Sequence, residues 1–301
     1  MNSTKSFECK KIISKLLFII IGILLAVYAL IIIAMFVWAF YISLETSTDY
    51  AFSSYRFPAN PTFDNYLIAF RELKIQINVG IGTRYVKIPM MIVNSLIYAG
   101  GCGLVSTVVP CIVAYCCARY KYRFGKIIYA SVIFAMSVPI IGAQVSELRV
   151  LQALNLYDTF LGMFILKTNY LGIYFLVYFA AFKSLPLSYV EAAKIDGANE
   201  FTVFFKIMFP LVIGTSIAIL LMKVIEFWND IAMSRIYLPS KPTLAYGMLY
   251  FSVEVGNLSL LAAGAPVRIA ACMILVLPML LLYLLLHKKM LGNMTIGGVK
   301  G

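Results

Sequence analysis

The sequence predicts an all-α polytopic membrane protein with six membrane-spanning helices and both termini in the cytoplasm. Three observations lead there. The 301 residues are 62% hydrophobic and only 13% charged, with a mean hydropathy of +0.91. No soluble globular domain has that composition. The apolar residues gather into runs near the ~20 residues a helix needs to cross a bilayer. The basic residues collect in three places: Lys5, Lys10, Lys11 and Lys15; then Arg119, Lys121, Arg123 and Lys126; then Lys288, Lys289 and Lys300. With six spans all three fall on one side, and cytoplasmic segments are the ones that accumulate Lys and Arg. The net charge of +12 therefore reads as membrane topology, and no nucleic-acid partner is expected. The segment 43–88 carries basic residues on the outer side, which weakens this orientation without reversing it.

The first unit expected along the chain is 1–42, a cytoplasmic N-terminus and a first span over about 16–42. That apolar run is too long for a signal peptide and has no small-residue cleavage site. Trp38 and Tyr41 suit the membrane interface near its far end. Residues 43–87, polar and aromatic with Pro58, Pro61, Gly80 and Gly82, read as an extracellular loop.

Residues 88–287 read as a core of five more spans. The second covers 88–117, where Gly100, Gly101, Gly103 and Ser106 let neighbouring helices approach closely. The third covers 127–145, with Pro139 permitting a kink. The fourth covers 165–182, the fifth 211–228 and the sixth 267–286, followed by a cytoplasmic tail over 288–301.

Between the fourth and fifth spans lies a patterned interruption, 184–210, SLPLSYVEAAKIDGANEFTVFFKIMFP. Pro186 suits a first helical turn. Good helix formers follow over 187–195, and Asp196-Gly197 breaks the run, Gly being the residue that most readily ends helices in the left-handed conformation. A second amphipathic run over 201–209 leads into Pro210. The expectation is a short helix, a glycine turn and a second short helix.

Glu191-Ala192-Ala193, three residues, Gly197, nine residues, Ile207 and Pro210 resemble the EAA loop of ABC-importer permeases at every position but one. Phe209 stands where Leu is usual. The longer stretch EAAKIDGANEF with FFKI and a proline is similar to the sugar-importer branch. So are the basic loop around Ala118, Arg119 and Phe124-Gly125-Lys126, and FPANPTFDNY in the first outer loop. The resemblance, to the second permease of maltose-type systems, covers roughly 60–301. It implies a type I ABC importer permease fold in a bacterial cell membrane. It also implies a sister permease, two ATPase subunits, an extracellular solute-binding protein and a carbohydrate substrate. Glu191, Ala192, Ala193, Asp196, Gly197, Ile207 and Pro210 are then the residues expected to couple to the ATPase. Gly297, Gly298 and Lys300 in the tail are expected to reach between the ATPases.

The chemistry bearing on other classes is sparse. There is no GxxxxGK[ST] phosphate loop, so no nucleotide cofactor is expected in this chain and ATP is left to the partner subunits. The one histidine, His287, sits at a membrane edge, and no paired-carboxylate, HExxH or GxSxG pattern occurs. No metal site or catalytic residue is expected; Cys9, Cys102, Cys111, Cys116, Cys117 and Cys272 lack ligand spacing. A membrane-embedded enzyme would need acids or histidines clustered in its spans. A scaffold would have no ATPase partner. A permease for a non-sugar solute, or an ion-driven carrier, remains as the alternative. Lys223 and Glu226, three residues apart on one helix face, and Asn229 beyond them are the candidate polar groups of a translocation path. A local ion pair near the outer boundary is the competing reading of Lys223 and Glu226.

Overall fold

The computed structural model describes residues 2–52, 61–79, 82–120, 123–138, 142–253 and 264–294. Its contacts divide the chain into two units, Met1–Ala69 with Ser259–Met273 and Phe70–Leu258 with Ile274–Gly301. The first unit begins with α1, Asn2–Ser43, a helix of 42 residues. At ~1.5 Å per residue it is about 63 Å long, twice the hydrocarbon thickness of a bilayer. Its apolar side chains are exposed on every face, from Leu16 and Phe18 to Val37 and Phe40. Such a helix satisfies its own backbone and leaves its side chains to lipid. Two short helices follow, α2 (Ser47–Phe52) and α3 (Asp64–Glu72). Asn65 ties the turn after α1, its amide donating to the carbonyls of Ser43 at 2.8 Å and Glu45 at 2.7 Å.

Early in the second unit stands a β-hairpin, within the stretch 43–87 expected as an extracellular loop. Strand β1 (Lys74–Val79) pairs antiparallel with β2 (Gly82–Lys87), Ile75 facing Val86. Ile75, Ile77 and Val86 are buried while Lys74 and Gln76 are exposed. This period-two alternation is present in the sequence but flanks Gly80 and Gly82 in a segment otherwise read as loop.

Helix α4, Ile88–Arg119, is the hub. Pro89 occupies its first turn, and the helix continues through Pro110. Its small residues admit close neighbours. A Cβ on Gly103 would lie 2.7 Å from Val224 Cγ2, and one on Gly101 2.2 Å from the Phe164 ring. Near its start, Asn94 donates to the Pro242 carbonyl at 3.0 Å and Ser95 Oγ accepts from Leu244 N at 2.7 Å.

The third and fourth spans differ from expectation. In place of one helix over 127–145 there are α5 (Arg123–Ser137) and α6 (Ala143–Ala153), with Gly142 at φ 85° capping the second. Pro139 lies outside the described residues. In place of one helix over 165–182 there are α7 (Phe160–Leu166) and α8 (Ile173–Ser184). The intervening Thr168 and Asn169 turn their side chains back to local backbone, Thr168 onto Ile165 O and Asn169 onto Leu171 N, which competes with helix continuation.

Then come α9 (Ser188–Ile195), α10 (Glu200–Thr202), a π-helical turn over Val203–Met208 and α11 (Phe209–Leu211). The chain continues as α12 (Ile213–Trp228), α13 (Ala232–Tyr237), α14 (Leu244–Val253) and α15 (Ala265–Met294). Trp228 Nε1 donates to the Leu275 carbonyl at 3.0 Å, tying α12 to α15.

Among the described residues three helices, α1, α4 and α15, are long and apolar enough to cross a membrane alone. The number rises to five if each of two bent pairs, α8 with α9 and 200–211 with α12, is one span. The main core of the second unit lies where α4, α8, α9, the π-helical turn and α12 meet. There Tyr115, Phe175, Tyr178, Phe182, Ala193, Phe204 and Met208 are buried together.

Candidate functional site

The segment between α8 and α12 is built from local rules. Leu185 precedes Pro186 and is extended, at φ −75° and ψ 139°, as the proline ring requires. The chain therefore leaves α8 and re-enters a helix, α9, at an angle of 68°. Helix α9 ends in a Schellman motif: Ala198 N donates to Ala193 O at 2.9 Å and Gly197 N to Lys194 O at 3.1 Å. Gly197 sits at φ 80°, a conformation that suits glycine. The Asn199 side chain then caps the next helix, accepting from Thr202 N at 2.8 Å.

The expected uniform second helix over 201–209 is instead one short α-turn and the π-helical turn, where Phe209 N donates to Phe204 O. Pro210 has no N–H and its ring crowds the preceding turn, and the wider π-turn accommodates it. The chain bends 76° into α12 around Val212.

Of the residues singled out in this segment, Ala193 is buried and Ile207 half-buried against the core. Glu191, Ala192, Asp196, Gly197 and Pro210 are exposed. Two rings clamp the segment to the bundle, with Tyr115 of α4 at 4.8 Å from Phe204 and 5.3 Å from Phe182, centroid to centroid.

The polar ties come from residues that sequence reasoning did not select. Lys194 Nζ lies 2.6 Å from Glu200 Oε1 across the glycine turn. Tyr120 at the end of α4 donates to Glu200 Oε2 at 2.6 Å, and Arg119 Nη2 donates to Leu185 O at 3.0 Å. The Lys194 and Tyr120 hydrogen bonds hold the Glu200 carboxyl below its ordinary range. The bond to Glu200 raises the Lys194 ammonium. Burial, then the same carboxylate, raises the Tyr120 hydroxyl. The six-residue separation of Lys194 and Glu200 has no helical signature, so only the fold reveals the pair. Two exposed apolar residues were also missed: Ile195, 87% exposed, and Phe201, 76% exposed.

At the other end of α8 and α12 lies a cavity of about 400 Å³. Lys223 and Glu226 both line it and pair at 2.8 Å, Lys223 being 17% and Glu226 55% exposed. The pair and the lining thus coexist. Asn229 does not join them; its amide donates to Ile225 O at 2.9 Å on its own helix. The structure adds Glu147, Lys167 and Asn169 to the lining, with the rings of Tyr170, Tyr174 and Phe227. Lys223 Nζ is 4.8 Å from the Tyr174 centroid and Lys167 Nζ 5.5 Å from that of Phe227. Glu147 accepts from the Tyr237 hydroxyl at 2.8 Å. Gly297, Gly298 and Lys300 lie outside the described residues. Among the described residues no group of His, Cys, Asp and Glu could hold a metal ion.

The second unit is thus an apolar helical bundle, bent sharply at one end and hollowed around polar side chains at the other. The chain belongs to the binding-protein-dependent transport system inner membrane component family, which matches residues 106–291. It is therefore a multi-pass membrane permease component of an ABC importer, not an enzyme, and it works with a solute-binding protein and an ATPase.

The melibiose/raffinose/stachyose import permease protein MelC of Bacillus subtilis (strain 168) is 29% identical over 271 residues, 87% of this chain and 91% of that protein. The arabinooligosaccharides transport system permease protein AraQ of the same organism is 27% identical over 251 residues, 81% of each chain. A crystal structure of a bacterial ABC transporter involved in the import of the acidic polysaccharide alginate matches with a TM-score of 0.70 at 20% identity. It covers 91% of this chain and 96% of that one, and shows that the fold is shared.

Proposed function

We propose that this chain is one of two different permease subunits of an importer that carries oligosaccharides across a bacterial cell membrane. The observation that carries the carbohydrate reading is the near full-length likeness to permeases named for melibiose, raffinose, stachyose and arabinooligosaccharides. In this reading six spans cross the membrane, both termini are cytoplasmic, and the sister permease completes the path. Two ATPase subunits bind and hydrolyse the ATP.

Helix α9 is the part offered to the ATPase. Its exposed Glu191 and Ile195, with Phe201 beyond the glycine turn, form a mixed charged and apolar face at the tip of the segment. Large exposed apolar side chains outside the lipid-crossing helices favour a protein partner. The Schellman turn and the ring clamp make the segment stiff, so that a displacement of α9 is passed to α8 and α12.

The cavity at the far end supplies part of the path. Its lining pairs two lysines with two glutamates among tyrosine and phenylalanine rings, a charge-balanced surface suited to hydroxyl groups and the apolar faces of sugar rings. The test is uptake of a panel of labelled oligosaccharides by cells with and without the gene, then by the purified complex in proteoliposomes. Neutral oligosaccharide uptake that disappears with the gene supports the reading; normal uptake of every saccharide in the deletion strain overturns it. In the proteoliposomes, Lys223→Met is expected to raise the KM for uptake and leave substrate-free ATP hydrolysis unchanged.

A further inference from the structure

A second cavity lies at the end of the bundle that carries the coupling segment. It measures about 670 Å³ and opens between the end of α4, the start of α5 and the later turns of α8. Arg123, Lys126 and Lys183 line it, and among the described residues no Asp or Glu does. Among the described residues none of these three cations makes an ion pair.

The cavity has aromatic walls from Tyr120, Tyr129 and Phe179. Tyr129 and Phe179 lie 4.9 Å apart, and Lys183 Nζ stands 5.6 Å from the Phe179 centroid. The same helix, α5, also carries Phe124, Ile127 and Phe134 at 71%, 61% and 70% exposure, apolar side chains of the kind a helix turns to lipid.

The surplus of basic residues on one side of a membrane needs neither a cavity nor aromatic walls. Here three cations line a concave, ring-walled space, two of them on a helix that also exposes large apolar side chains. We propose that this cavity binds the phosphate headgroup of an anionic phospholipid, with the guanidinium and ammonium groups on the phosphate and the acyl chains lying along α5. The helix favours lipid over a soluble anion: α5, which carries Arg123 and Lys126, also carries the exposed Phe124, Ile127 and Phe134, and a headgroup held beside such a helix arrives already anchored. Basic pockets between membrane helices bind acidic headgroups by the same physics. The site would tie lipid composition to the elements that flank α9, since Tyr120 also holds Glu200.

The assembled importer, reconstituted in nanodiscs, tests this. The lipid is phosphatidylcholine alone or with phosphatidylglycerol, and bound phosphatidylglycerol is counted by native mass spectrometry after extraction. Retention by the wild type is expected to fall about five-fold with Lys183→Gln, and roughly a hundred-fold with Arg123→Gln, Lys126→Gln and Lys183→Gln together, from the worth of one basic residue near an acidic headgroup. The double variant Lys126→Arg and Lys183→Arg should retain it. Unchanged retention in the glutamine variants overturns the proposal. Displacement of the lipid by millimolar inorganic phosphate assigns the cavity to a soluble anion and also overturns it. Loss of the ATPase subunits from the glutamine variants with lipid retention intact makes this a protein-docking face instead. Should the triple variant fail to insert, Lys183→Gln and Tyr129→Ala carry the same decision singly.

Discussion

Glu200 takes hydrogen bonds from Lys194 and Tyr120, so one carboxylate joins α9, the turn and the end of α4. Its carboxyl is held below the ordinary range, so the contribution of the pair is present above the unfolded carboxylate pKa. It is lost as pH falls through the lower folded value. Lys194 is held above its ordinary range, so its contribution persists below the unfolded lysine pKa and is lost only as pH rises through the raised value. The tie therefore spans neutral pH. This pair is therefore predicted to add no pH dependence to substrate-stimulated ATP hydrolysis of the purified complex between about pH 6 and 9. Both side chains are about half exposed, so Glu200→Gln should leave the melting temperature nearly unchanged. It should lower stimulation by roughly two-fold, the scale of an exposed ion pair. A large fall in melting temperature with full stimulation would mean that Glu200 serves stability and not coupling.

At the scale of the element, the turn in the proposed coupling segment depends on Gly197. A Cβ there would meet nothing within 4 Å, so space does not select glycine. The backbone at φ 80° does. The expected order of damage is therefore Val, then Ala, then Asn, because β-branched residues tolerate the left-handed region least and Asn most. Gly197→Ala is expected to cost about 1 kcal/mol locally and Gly197→Val more. Loss of stimulated ATP hydrolysis should follow that order while membrane insertion is unaffected. An order that follows side-chain volume alone, with Asn worse than Ala, would assign the position to a steric contact with the ATPase. Phe209→Leu, which restores the residue usual in such loops, should be nearly silent in the same assay, since Phe209 is half-buried at the rim of the core.

Across the whole molecule, the proposed coupling requires α4 and α12 to pack closely enough to carry motion from the segment 184–210 to the polar cavity. Gly103 sets that approach, with Val224 Cγ2 2.7 Å from where its Cβ would be. Gly103→Val is predicted to overpack the contact by about 1–3 kcal/mol, read as a lower melting temperature of the complex. Val224→Ala on the same chain should recover part of the loss. No recovery would place the strain elsewhere along α4. The tail after α15 belongs to this scale too. Truncation after Asn293 is predicted to leave insertion intact and reduce ATP hydrolysis coupled to transport. Unchanged transport would remove the tail from the coupling path.

The sequence by itself determined the membrane class, the long apolar helices, the glycine turn at Gly197 and the family. Each of these is local: hydrophobicity over a window, a backbone conformation only glycine takes cheaply, a motif read in register. It also marked Lys223 and Glu226, because a spacing of three is a helical distance. What it left to the tertiary structure was every contact between distant segments. The break in the fourth span arises where Thr168 and Asn169 turn their side chains to the backbone, and the π-turn from Pro210 closing a helix already clamped by Tyr115. The Lys194, Glu200 and Tyr120 tie, the joining of Glu147 and Lys167 to the cavity, and the meeting of Lys183 with the helical neighbours Arg123 and Lys126 all bring together segments with no periodic relation. Their proximity is fixed by how α4, α8 and α12 pack, and packing is a property of shapes that meet only after the chain has folded.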